Sequence, residues 1–122
     1  MFIDMVMVAF GGGIGALLRY LLTFLVYGKD TPAFPYGTLL VNLLGCLGIG
    51  LLAGYFNKHP EPMYLKFFAI TGILGGFTTF STFSLETFNL LATHPWQGLL
   101  NIAISIIVGL LTVGAGLKLS GL

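Results

Sequence analysis

Four long apolar runs, cut apart by short joins that carry proline, constrain this chain more than any other feature. A bilayer's hydrocarbon core is roughly 30 Å thick and takes about 20 apolar helical residues to cross. Runs near residues 3–26, 36–56, 64–92 and 98–119 each reach that length. The prolines mark the cuts independently, because Pro32, Pro35, Pro60, Pro62 and Pro95 all fall in joins or at span edges, where a missing N–H does no harm. With 57% hydrophobic and only 7% charged residues, the chain has too few polar groups to cover a water-soluble domain. The expected fold is therefore an all-α integral membrane protein, residues 1–122 forming a single four-helix membrane domain.

Charge and cysteine usage exclude several classes. A net charge of +1 with no Lys/Arg cluster argues against a nucleic-acid partner, whose phosphates demand a basic patch. Cys46 lies alone in mid-span, and His59, Glu61 and His94 lie in the joins without ligand-spaced companions, so no side-chain metal site is expected. The first run has Asp4 and no Lys or Arg before it, and it is read as a retained helix, not a signal peptide. Four spans put both termini on one side together with Lys58, Lys66 and Lys118, against Lys29 and, if it points that way, Arg19 on the other. Such a flat bias sets orientation weakly. It allows insertion in both directions and, from that, antiparallel pairing of two copies.

In the first span, Gly11, Gly12, Gly13, Gly15 and Ala16 satisfy a loose dinucleotide-binding pattern, but the apolar residues that follow do not suit such a fold. Gly11 and Gly15, four apart, instead offer a flat surface for another helix. Arg19 is a permanent cation within an apolar run; it either snorkels to the interface or lines a vestibule that attracts anions. In the second span Gly45, Gly48, Gly50 and Gly54 keep one surface thin, and Asn42 is the single amide. Asn42 either bonds a neighbouring helix or turns its NH₂ toward a passage.

The third span is the unusual one, about 29 residues long and about 43 Å if straight, well beyond the hydrocarbon core. A break near its middle absorbs the excess. Gly72, Gly75 and Gly76 are expected to supply the flexible point, with Thr78 and Thr79 capping a second half-helix. Carbonyls freed at a break suit a cation, and a half-helix N-terminus suits an anion. Beyond the break, about 100° per residue places Thr79, Thr82 and Glu86 on one face and Phe80, Phe83 and Thr87 on the next. Ser81 and Ser84 add two more hydroxyls. Hydroxyls that bond back to their own helix would explain single residues. The density of hydroxyls, rings and one acid in so few residues points instead to an ion pathway, in which hydroxyl donors and the positive edges of rings replace the water around a small anion. In the fourth span Ser105 either extends that hydroxyl track or bonds its own helix.

Three segments together carry a family resemblance: Gly12-Gly13-Ile14-Gly15-Ala16-Leu17-Leu18-Arg19-Tyr20, Gly37-Thr38-Leu39-Leu40-Val41-Asn42-Leu43-Leu44-Gly45, and Gly75-Gly76-Phe77-Thr78-Thr79-Phe80-Ser81-Thr82-Phe83-Ser84. In order and spacing the chain resembles the CrcB, or Fluc, fluoride channels. The resemblance implies a dual-topology antiparallel homodimer in the lipid bilayer of the cell inner (plasma) membrane, exporting fluoride passively through two pores. It implies neither an enzyme nor an organic cofactor. It further implies a central structural Na⁺ held by the Gly75 and Thr78 backbone carbonyls. The implied pore residues are Asn42, Thr79, Phe80, Ser81, Thr82, Phe83, Ser84, Glu86 and Ser105, with Arg19 at the vestibule. A small four-span multidrug or cation exporter is the alternative, but such a protein relies on an acid within its first span, where this chain has only Asp4 at the extreme end.

Overall fold

A computed structural model describes residues 1–30 and 32–121. Among the described residues, four helical segments are long and apolar enough to cross a membrane. They are α1 (Phe2–Tyr27), α2 (Tyr36–Lys58), a third span over Met63–Thr93, and a last helix, Pro95–Ser120. The last helix begins three residues earlier than its apolar run, at Pro95 instead of Gly98, because proline is well placed in a helix's first turn. The third span divides in two. Its first half, α3, is α-helical over Met63–Lys66, π-helical over Phe67–Leu74 and α-helical again over Gly75–Phe77. Its second half is α4 (Phe80–Thr93), which makes Pro95–Ser120 α5.

The break lies at Thr78 and Thr79, where the backbone is extended (φ −81°, ψ 158° and φ −148°, ψ 116°). This corrects the expectation that Gly72, Gly75 and Gly76 form the flexible point. Gly75 keeps helical angles (φ −62°, ψ −37°), and the helix continues through Phe77. Gly72 and Gly76 serve packing instead. A Cβ on Gly72 would come within 2.9 Å of the Gly11 Cα, one on Gly15 would overlap the Ile73 carbonyl oxygen, and one on Gly76 would overlap the Gly12 carbonyl oxygen. Backbones of α1 and α3 therefore touch directly, as small residues permit between membrane helices.

A second zipper joins α2 to α5. A Cβ on Gly50 would overlap the Val113 carbonyl oxygen, and one on Gly116 the Leu47 carbonyl oxygen. At the common end of these helices the Lys58 ammonium donates to the Gly121 carbonyl oxygen at 2.7 Å. The two zipped pairs are linked by the third span, which changes partners at its break. Before the break α3 lies along α1; after it α4 packs on α5, where Leu91 closes over Gly98. A straight helix fixed to α1 by its glycines could not also reach α5.

Side chains do little of the sealing inside one copy. Val41 and Leu90 are the buried large apolar residues among those described, while Phe80, Phe88, Trp96 and Leu110 are each at least 70% exposed. In water such a surface would aggregate; in lipid it is the expected exterior, with backbone bonds satisfied inside each helix.

Candidate functional site

Local chemistry at the break follows from two diversions of backbone amides. In an unbroken α-helix the Thr79 N–H would donate to the Gly75 carbonyl and the Thr82 N–H to the Thr78 carbonyl. Here Thr79 N–H donates to Asn42 Oδ1 at 2.8 Å, and Asn42 Nδ2 donates back to the Thr79 carbonyl at 3.0 Å. Thr82 N–H donates to Thr79 Oγ1 at 3.3 Å, and that hydroxyl donates in turn to Thr82 Oγ1 at 3.0 Å. Thr79 is thus the N-cap of α4, as its residue type suggests. Thr78 closes the other half: its N–H and its hydroxyl both donate to the Leu74 carbonyl at 3.0 Å.

Two cavities meet at Thr79. One, of about 380 Å³, is lined by Asn42, Cys46, Gly75, Thr78, Thr79 and Phe80 among others. The other, of about 300 Å³, lies between α1, α2 and α4 and is lined by Arg19, Tyr20, Thr23, Thr38, Thr82 and Glu86 as well as Thr79. Arg19 therefore faces a crevice with the acid and the hydroxyls. The face of Thr79, Thr82 and Glu86 drawn from helical spacing is the one turned to this crevice. Glu86 Oε1 accepts a hydrogen bond from the Thr38 hydroxyl at 3.0 Å, and Oε2 is buried with no partner. Arg19 and Glu86 share the crevice without forming an ion pair.

The neighbouring face of α4 carries the rings. Phe80 and Phe83 lie with centroids 5.9 Å apart and planes inclined at 43°. Phe80 is 79% exposed in the single chain. Ser81 and Ser84 are exposed on α4 and line neither cavity.

Gln97 and Asn101, which sequence reasoning did not assign to the pathway, add polar atoms beside Thr87 and Ser105, which it did name. Asn101, 1% exposed, donates through Nδ2 to the Thr87 hydroxyl at 2.9 Å, and its Oδ1 has no partner. Gln97 Oε1 and Ser105 Oγ are also buried without partners. Gln97, Asn101 and Ser105 recur every four residues and so share a face of α5. That spacing in an otherwise apolar span was the available signal. Thr38, one turn before Asn42, was legible in the same way. Buried polar atoms without partners are uncommon and call for an explanation such as an ion or water.

Comparison with known proteins bears on this arrangement. The family model described as "CrcB-like protein, Camphor Resistance (CrcB)" matches residues 6–117. A protein of Flavobacterium psychrophilum named fluoride-specific ion channel FluC is 45% identical over 112 residues, covering 90% of each chain. Namesakes from Desulfotalea psychrophila and Magnetococcus marinus are 46% and 48% identical, over 93% and 90% of this chain and 88% and 91% of their own. The small multidrug exporter is displaced by these matches. With the match running through all four spans, this chain belongs to the CrcB family.

Proposed function

We propose that this protein is a fluoride channel of the plasma membrane that lets F⁻ leave the cell passively. The observation that carries the reading is the broken third span, which sets Arg19, Thr79, Thr82 and Glu86 around one crevice and Phe80 and Phe83 beside it. The names of the relatives support the choice of ion. Fluoride must exchange hydration for donors in several weak sites from which it can leave. Hydroxyls, the second Asn42 N–H and ring edges offer that without a full counter-charge, and Arg19 supplies positive potential at the mouth. Turning the Asn101 amide over would let Thr87 donate to Oδ1 and free an NH₂ for the passing ion, with Ser105 one turn further on. Fluoride that enters as HF from acid surroundings and ionises inside is thereby released downhill.

Two copies in inverted orientation form the conducting unit in this reading, with two pores. Support comes from the flat charge bias and from Phe80, a large ring left almost wholly uncovered at the break of one chain. A structural Na⁺ fits the same place. The Gly75 and Thr78 carbonyls have lost their helical donors to Asn42 and Thr79, and both residues line the larger cavity. Backbone oxygens are suitable ligands for a hard monovalent cation, and bound Na⁺ would supply positive charge at the centre of the unit.

Growth under fluoride tests the function. Cells lacking their own fluoride exporter should grow, when they express this chain, at fluoride concentrations that stop the parent strain. An expressing strain no more resistant than the parent would contradict it.

A further inference from the structure

We infer that Asn42 is a positioning residue for the cation site at the break: its side chain takes Thr79 N–H away from Gly75 and so keeps the Gly75 carbonyl available as a ligand. The inference rests on the cation reading above, and it goes beyond the role of Asn42 as a fluoride donor.

The argument is one of hydrogen-bond accounting. Gly75 retains helical angles, so its carbonyl still points along the helix toward where a helical Thr79 N–H would lie. That N–H is instead 2.8 Å from Asn42 Oδ1. The amide of Asn42 offers one acceptor and one donor side by side, and both meet the Thr79 peptide, at 2.8 and 3.0 Å. A side chain thus imitates a strand neighbour and holds Thr79 extended. Without it, Thr79 N–H would be an unpaired donor beside an unpaired carbonyl, and closing the helix across the break would satisfy both. The Thr78 carbonyl is released differently, because Thr82 N–H goes to Thr79 Oγ1 within the same helix cap. Of the two proposed carbonyl ligands, Gly75 is therefore the one under interhelical control, and α2 holds the control.

Asn42 has a second N–H left over after the clamp, since its NH₂ carries two donors and the Thr79 carbonyl takes one. One residue then serves two ions through different atoms. Oδ1 acts on the cation site through Thr79, and the free N–H is available to the anion. The two roles separate by substitution. Asn42→Asp keeps an acceptor for Thr79 N–H and loses both donors; Asn42→Leu loses acceptor and donors together.

The experiment is thermal unfolding of the purified full chain in detergent, titrated with NaCl against N-methylglucamine chloride at constant ionic strength, with fluoride efflux measured in parallel. Wild type should be stabilised by Na⁺. Asn42→Leu should need about 10–100-fold more Na⁺ for half the effect, the usual cost of losing a group that orients a metal ligand. Asn42→Asp should lose fluoride flux, since both donors are gone. A Leu variant with the wild-type Na⁺ midpoint overturns the inference. If the Leu variant does not fold, Asn42→Ala, which also lacks the acceptor for Thr79 N–H, decides by the same criterion. A wild type that conducts fluoride yet ignores Na⁺ overturns the cation reading, and this inference with it, while leaving the fluoride reading standing.

Discussion

The Thr38 hydroxyl donates to Glu86 Oε1 across 3.0 Å, tying the start of α2 to the middle of α4 and leaving Glu86 Oε2 buried with no partner. Among the described residues it is the one hydrogen bond that Glu86, the only acid in α4, makes. Thr38→Val would leave both oxygens unpaired and should lower stability by about 1–3 kcal/mol, whereas Thr38→Ser should be close to wild type. In a Glu86→Leu background the Val substitution should cost much less. Circular-dichroism melts of the four chains in detergent measure that coupling, and an equal loss in both backgrounds would mean that the bond contributes nothing.

The contact between α1 and α3 predicts opposite outcomes for glycines two residues apart. Gly15→Ala would drive a methyl into the Ile73 carbonyl and should cost about 1–3 kcal/mol or prevent assembly. Gly13→Ala meets nothing within 4 Å and should be neutral, or stabilising by up to about 1 kcal/mol as alanine favours a helix. Size-exclusion profiles and melting midpoints compare the two. Similar behaviour of both variants would remove direct backbone packing as the reason for the glycines.

The buried pair Asn101 and Thr87 should behave as a unit. Thr87→Val keeps the shape but strands the Asn101 amide and should destabilise by about 1–3 kcal/mol. The double change Thr87→Val with Asn101→Leu should recover much of that stability and still reduce fluoride flux, because the donors are gone. Recovery of flux along with stability would confine these residues to a structural role.

Orientation gives a fourth prediction. A single cysteine introduced at Lys118 on a background with Cys46→Ala should react with an impermeant maleimide from both faces of the membrane, in comparable amounts. Labelling from one face alone would rule out inverted pairing.

The spans were legible because membrane length and proline placement act on sequence directly. Thr79 as a cap and the shared face of Thr79, Thr82 and Glu86 were legible for a similar reason, since caps and helical spacing are local. Tertiary choices were not. Gly72 and Gly76 carry the composition of a hinge, yet whether a glycine bends a helix or lets another backbone approach depends on what lies opposite, here Gly11 and Gly12. The same holds for Asn42, whose interhelical bonds go to the Thr79 peptide and occupy only part of its amide, a partner that the sequence of α2 does not specify. The π-helical stretch Phe67–Leu74 left no sequence signal that distinguishes it from ordinary helix.

The central claim is that the break in the third span assembles a path for fluoride, and efflux from proteoliposomes tests it most directly. With the purified chain reconstituted, a fluoride-selective electrode should record rapid release down a fluoride gradient with no proton gradient applied. Chloride and a cationic dye should be retained, and Phe80→Ile should slow the release while eluting at the wild-type position. Fluoride release no faster than from empty liposomes, equal release of chloride, or undiminished flux in Phe80→Ile would contradict the account.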